Sequence, residues 1–142
     1  MKSSRTALIT HLQSANFTGK AQTIKKYAGE LTDRDKRTLT LRIHLPAVLV
    51  LFMDGFPLRD VPEHIFSLLF ITETRMLDRE ETEADAITLL GDYAAWLKEN
   101  YRWQDEYHWY QVVEEGQAQA SLLMNDHKYT IAELPVRIRK GV

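Results

Sequence analysis

The sequence predicts an α+β domain: a largely antiparallel β-sheet with two α-helices packed on one face. Three observations carry this expectation. The run Leu45-Pro46-Ala47-Val48-Leu49-Val50-Leu51-Phe52 is apolar without alternation, which reads as a strand covered on both faces. Ile87, Leu90, Ala94, Leu97 and Tyr101 recur at spacings of three and four, the stripe of an amphipathic helix. The last third of the chain is rich in short β-like runs separated by turn residues. With 142 residues, one domain spanning 1–142 is large enough to bury a core without staples.

Each element has a local reason. Ser3 or Ser4 can cap a first helix that carries Leu8, Ile9 and Leu12 on one side, and Asn16 to Gly19 ends it. Thr23 to Gly29 reads either as extended chain, the favoured reading, or as one further helical turn, and Leu31 to Lys36 reads as a charged, exposed loop. In Arg37 to His44, Leu39, Leu41 and Ile43 alternate with polar residues, which predicts a half-buried strand or arm. Pro46 suits the first position of the central strand, and Asp54-Gly55 reads as the turn that ends it.

His64 to Thr74 is rich in aromatic and β-branched residues and predicts a second long strand. The link between the two is too short for a parallel crossover, so they should pair antiparallel. Asp78 and Glu81 have capping-box spacing at the start of the second helix, and Asn100 can end it beyond Lys98. Tyr107 to Val113 then predicts a strand, with a hairpin turn at Glu114 to Gln117 and a return along it through Ala118 to Met124, whose Ala-rich sequence is also compatible with a helical turn. After a turn at Asn125 to His127, Tyr129 to Arg139 makes the final strand, with Leu134, Val136 and Ile138 on one face. Pro135 lacks a ladder donor, which assigns that strand to an edge or to a bulge.

The chemistry-bearing residues form no local motif. The chain has no cysteine, so disulfides, thiolate zinc sites and cysteine nucleophiles are all excluded. No pair among His11, His44, His64, His108 and His127 has zinc-site spacing, and no metal site is expected. Asp78, Glu80, Glu81, Glu83 and Asp85 crowd the start of a helix, where the dipole stabilises carboxylates without any ligand. No Gly-x-Ser-x-Gly elbow, dinucleotide fingerprint or phosphate loop occurs, so no catalytic residue and no cofactor is expected. Twenty acidic residues against 18 basic give a formal charge of -2, without the basic excess of a dedicated nucleic-acid binder. No signal peptide and no run of about 20 apolar residues is present, so a soluble, intracellular protein away from the membrane is expected.

Taken in order, the elements resemble a family of small Mu-like prophage tail proteins. The matching pattern is the N-terminal helix, the segment Tyr27-Ala28-Gly29-Glu30-Leu31, and Leu45-Pro46-Ala47-Val48-Leu49-Val50 opening the core strand. The second apolar strand, the Asp78 to Asn100 helix with Tyr93 facing its stripe, and the C-terminal β region complete it. That family is similar in fold to the lambda-type tail terminator, the minor tail protein U. The resemblance implies a structural virion-assembly protein and not an enzyme. Such proteins form a hexameric ring that caps the tail tube, stops its polymerisation and presents the head-joining surface. The implied partners are other copies of the chain, the tail tube protein and a head-completion or connector protein. The implied locations are the host cytoplasm during assembly and then the virion tail.

Candidate interface residues follow from charge and aromatic content. They are the basic loop residues Arg34, Lys36, Arg37 and Arg42, Trp103 and Trp109 of an aromatic-rich band, and Arg137 and Arg139 on the supposed edge strand. The aromatic band also includes Trp96, Tyr101, Tyr107 and Tyr110. Two other readings stay open: an adaptor or inhibitor module binding through that band, and a small enzyme assembling a dispersed site from His44, Asp54 and His108.

Overall fold

A computed structural model describes residues 2–27, 45–55, 63–74, 79–113, 121–125 and 129–141. The elements are α1 (Lys2–Gln13), β1 (Thr23–Lys26), β2 (Ala47–Gly55), β3 (Glu63–Glu73), α2 (Arg79–Glu99), β4 (Arg102–Gln104), β5 (Trp109–Val113), β6 (Ser121–Asn125) and β7 (Tyr129–Gly141). Among the described residues the strands form one seven-stranded sheet in the order β1-β2-β3-β7-β5-β4, with β6 also paired to β7. The fold is α+β, and the sheet is mixed because β1 runs parallel to β2, from Thr23 opposite Ala47 to Lys26 opposite Val50. Every other pairing among the described residues is antiparallel. About twenty residues separate β1 from β2, enough chain for the crossover a parallel pair requires. The expected strand at 37–44 and the charged loop at 31–36 lie outside the described residues.

The central apolar run forms β2, and its lack of alternation has the expected meaning. Val48 and Val50 face the helices, while Ala47 and Leu49 sit in a second apolar cluster on the opposite face. The Leu45–Pro46 peptide is cis, and the Pro46 carbonyl accepts hydrogen bonds from the Gln22 amide at 2.8 Å and the Thr23 amide at 3.5 Å. Asp54-Gly55 is not a turn. The register shifts between Phe52 and Asp54, after which Asp54 pairs with Ile65 and Gly55 with His64. A bulge at the exposed Met53 takes up one residue and lets the ladder continue.

β3 pairs antiparallel with β2 as its composition predicts, and with β7 on its other side. β7 is therefore an interior strand, and the expected edge position does not hold. Its second side is shared end to end: β6 pairs with Thr130 to Glu133, and β5 with Arg137 to Gly141. Pro135 falls between those two partners, so the missing donor sits where that side has no ladder. The expected hairpin between β5 and the Ala118 to Met124 segment is also corrected, because β6 pairs with β7 and β5 pairs with β4 and β7. Strand β4 was not anticipated; three residues after a helix end give no readable alternation.

Both helices pack on one face of the sheet, as expected. Leu8 and Leu12 of α1 join Ala86, Leu89, Leu90, Tyr93 and Leu97 of α2 over Phe66, Leu68, Phe70, Leu134, Val136 and Ile138. The buried stripe of α2 is offset from the expected one: Ile87 and Tyr101 are exposed, and Ala86, Leu89 and Tyr93 take their places. Spacing alone fits either stripe; the one that faces the sheet is the one that buries Tyr93 completely. Ser4 does not cap α1. It lies inside the first turn and is buried, on the same side as Leu8 and Leu12. Asn100 ends α2 as expected: its amide and its side chain both donate to the Trp96 carbonyl, at 2.8 and 3.0 Å. Asp78 lies outside the described residues.

Candidate functional site

Three regions of the fold gather candidate functional residues. The first lies where α2 ends and the β4–β5 hairpin begins. Arg102 pairs with Gln111, Trp103 with Tyr110 and Gln104 with Trp109. The turn between the strands is closed by Asp105. One of its carboxylate oxygens accepts the amides of Tyr107 and His108, both at 2.9 Å, and the other accepts the Tyr110 hydroxyl at 3.0 Å. These bonds, the Tyr107 and His108 amides first, hold the Asp105 carboxyl below its usual pKa. The turn thus fixes Tyr107 in a display position, 72% exposed.

Behind the hairpin, His11 of α1 closes an aromatic column. Its ring stacks on Trp103 at 3.9 Å and 7°, and leans on Trp96 at 4.6 Å. Trp103 stacks in turn on Tyr110. His11 Nε2 lies 2.8 Å from the Asn100 carbonyl, which can only accept, so this nitrogen donates. Burial lowers the His11 pKa, opposed in part by that carbonyl. The contact spans 89 residues, and no local spacing in the sequence signals it.

The second region reverses an expectation. The sequence expectation puts Arg137 and Arg139 on an edge strand, as interface candidates. Instead they flank Glu63 on the sheet face away from the helices. Arg139 donates through Nε at 3.0 Å and Nη2 at 2.7 Å to one carboxylate oxygen of Glu63, and Arg137 Nη1 lies 3.4 Å from the other. Glu63 is 1% exposed and Arg137 9%. Interior placement of β7 causes this burial. Nearby on the same face, Ser67 Oγ donates to Glu133 at 2.6 Å.

The third region is a cleft of about 350 Å³ between α2 and the end of β3. Leu45 and Pro46 form one wall, Gly19 closes one side, and Leu89 contributes apolar surface from the helix. Glu73, Asp85 and Asp92, with Thr72 and Thr88, also line it. The walls are tied together. The Ala21 amide donates to the Tyr93 hydroxyl at 3.0 Å, and Pro46 is held to the 22–23 backbone. Gly19 adopts φ +85°, a left-handed conformation that suits glycine at this bend.

Of the other sequence candidates, Arg34, Lys36, Arg37, Arg42 and His44 lie outside the described residues, as does the Asp54 side chain. Trp109 packs over Gly141 and carries the Arg102 guanidinium 5.1 Å from its ring centroid. Among the described residues, no group of three His, Cys, Asp or Glu stands close enough to hold a metal ion. No helix among them is long and apolar enough to cross a membrane. No protein-family model matches the chain, and no curated protein matches it.

Proposed function

We propose that the chain is a structural phage or prophage tail protein, a tail terminator that assembles as a ring on the end of a completed tube. The ring covers the surface to which another tube layer would add and offers a new surface for head joining. Polymerisation stops by occlusion, and no chemical step is needed.

One observation carries this reading beyond the family resemblance. The sheet path ends in two dissimilar strands, β1 and β4, each with one strand neighbour among the described residues. A closed ring of identical subunits requires a head-to-tail contact between two different surfaces. Their charges are complementary: Lys25 and Lys26 lie on β1 with Lys20 just before it, and exposed Asp105 and Glu106 lie in the turn after β4. Trp103 and Trp109 sit at the β4 end as candidate anchors.

The test is electron microscopy of tail tubes assembled with and without the full chain. Short tubes with a ring at one end are the expected result. Tubes whose length and ends are indifferent to the chain would overturn the reading. An adaptor role through the exposed Tyr101 and Tyr107 is the second reading, favoured by their exposure of 50% and 72%. Capture of one defined non-tail partner, lost in Tyr107→Ala, would select it.

A further inference from the structure

We infer that the sheet face away from the helices, at its β4–β5–β7 end, binds an acidic protein segment, with Arg102 taking one of its carboxylates in a bidentate fork. The inference does not rest on the assembly reading. It begins from the strand register, in which residues directly opposite one another share a face. Arg102, Gln111, Arg139 and Glu63 thus form one row across β4, β5, β7 and β3. Gln104, Trp109 and Gly141 form the row on one side of it, and Val113, Arg137 and Ile65 the row on the other. Across these rows three guanidiniums meet a single carboxylate. Arg137 and Arg139 share Glu63, whereas Arg102 has no carboxylate partner among the described residues.

Arg102 is exposed, yet it is held. The Trp109 indole lies against Gly141 so closely that a Cβ there would overlap it, and the Arg102 guanidinium sits over that ring, 5.1 Å from its centroid. A charge kept only to discourage strand addition at an edge would extend into water and need no such seat. A guanidinium stacked on an aromatic ring keeps its N–H groups in the plane of the stack. That is the geometry that grips a carboxylate through two parallel bonds.

The neighbouring residues define the partner. Arg139 is 36% exposed and uses Nε and Nη2 on Glu63, which leaves Nη1 for a second carboxylate. Gln111 lies between the two arginines in the row and adds an amide donor. Two strand spacings separate Arg102 from Arg139, about 10 Å at Cα, within reach of acidic side chains two residues apart in an extended segment, about 7 Å. Asp105 in the adjoining turn does not compete, because its oxygens are taken by the Tyr107 and His108 amides and the Tyr110 hydroxyl. A nucleic acid fits less well: Trp109, the one aromatic ring of these rows, already carries Arg102, and the chain's formal charge of -2 opposes a long polyanion.

Fluorescence anisotropy of labelled hexaglutamate titrated with the full chain tests the inference, beside labelled hexaglutamine and a thymidine heptanucleotide. Saturable binding of hexaglutamate is expected, weakened several-fold between about 50 and 500 mM salt as exposed charges are screened. Arg102→Gln should weaken it by about tenfold, the loss of one contact between charged groups, with the circular dichroism of the parent retained. Arg102→Lys keeps the charge without the fork, and Trp109→Leu keeps every charge without the seat; each should weaken binding several-fold. Parent-like affinity in Arg102→Gln or in Arg102→Lys, hexaglutamine bound as well as hexaglutamate, or the oligonucleotide bound more tightly than either would overturn the inference.

Discussion

The two faces of the sheet are drawn from alternate residues of the same strands, yet they are held by different forces. On the helix-covered face, even-numbered residues of β2, β3 and β7 form a continuous apolar layer from Val48 through Phe70 to Ile138. On the other face, Ala47, Leu49, Leu69, Ile71, Tyr129 and Ile131 make a smaller apolar cluster at one end. Toward the other end, the same strands carry the Glu63–Arg137–Arg139 group and the Ser67–Glu133 bond. The first face is held by burial, which is strong and non-directional. The second is held partly by charge geometry, which fixes register but recovers little net energy after desolvation. The larger apolar core and the directional ion group thus lie on opposite sides of one sheet.

The largest test is at the apolar face. Phe70→Ala should cost about 3–5 kcal/mol in urea unfolding, since a fully buried aromatic is lost from beneath α2. A cost under half of that would mean the helices hold the face less tightly than described. Next comes Glu63→Ala, expected to cost about 3 kcal/mol by leaving a buried guanidinium without its carboxylate. Combining Glu63→Leu with Arg137→Met and Arg139→Met should recover most of that loss. If the triple variant stays as unstable as the single one, the ionic face contributes net stability and the contrast fails.

A smaller effect is expected where the charged face ends. A Cβ on Gly141 would overlap the Trp109 indole, so Gly141→Ala must displace the ring from both Gly141 and Arg102. About 1 kcal/mol of destabilisation and a changed Trp109 fluorescence are the expected readouts.

The smallest effect is a pH dependence on the helix side. The His11 pKa is lowered below 6.5 by burial, so the unfolded chain takes up a proton before the folded one does. Stability is therefore full above pH 6.5 and declines as pH falls from there through the lowered folded value. His64 is lowered in the same sense, by burial first and then by nearby positive charge. His11→Phe should remove part of the slope, and His64→Phe a separate part. A slope unchanged in His11→Phe would contradict the stacked, neutral imidazole.

The unbroken run from Ala47 to Val50 announces a strand buried on both sides, because period-two alternation fails only when neither face meets water. Tyr129 to Ile138 likewise announces the face that meets the helices. The parallel placement of β1 is illegible, since four residues of β1 carry no sign of a partner twenty residues on. The Glu63 ion group is illegible for the same reason: Arg137 and Arg139 look like an exposed tail until β7 is known to have neighbours on both sides. In the cleft, Thr72 is visible as a polar residue in an apolar row, but nothing local connects it to Asp92 or Pro46. Long-range pairing, not propensity, decides each of these cases.

The chain contains no cysteine, which permits a direct test of the proposed head-to-tail contact between sheet ends. The measurement is thiol cross-linking of Lys26→Cys, Gln104→Cys and the double variant with a short bis-maleimide, resolved by mass. The account predicts a ladder of oligomers from the double variant, ending at a closed ring, and monomers from each single one. Dimers from a single-cysteine variant, or monomers from all three on assembled tubes, would contradict it.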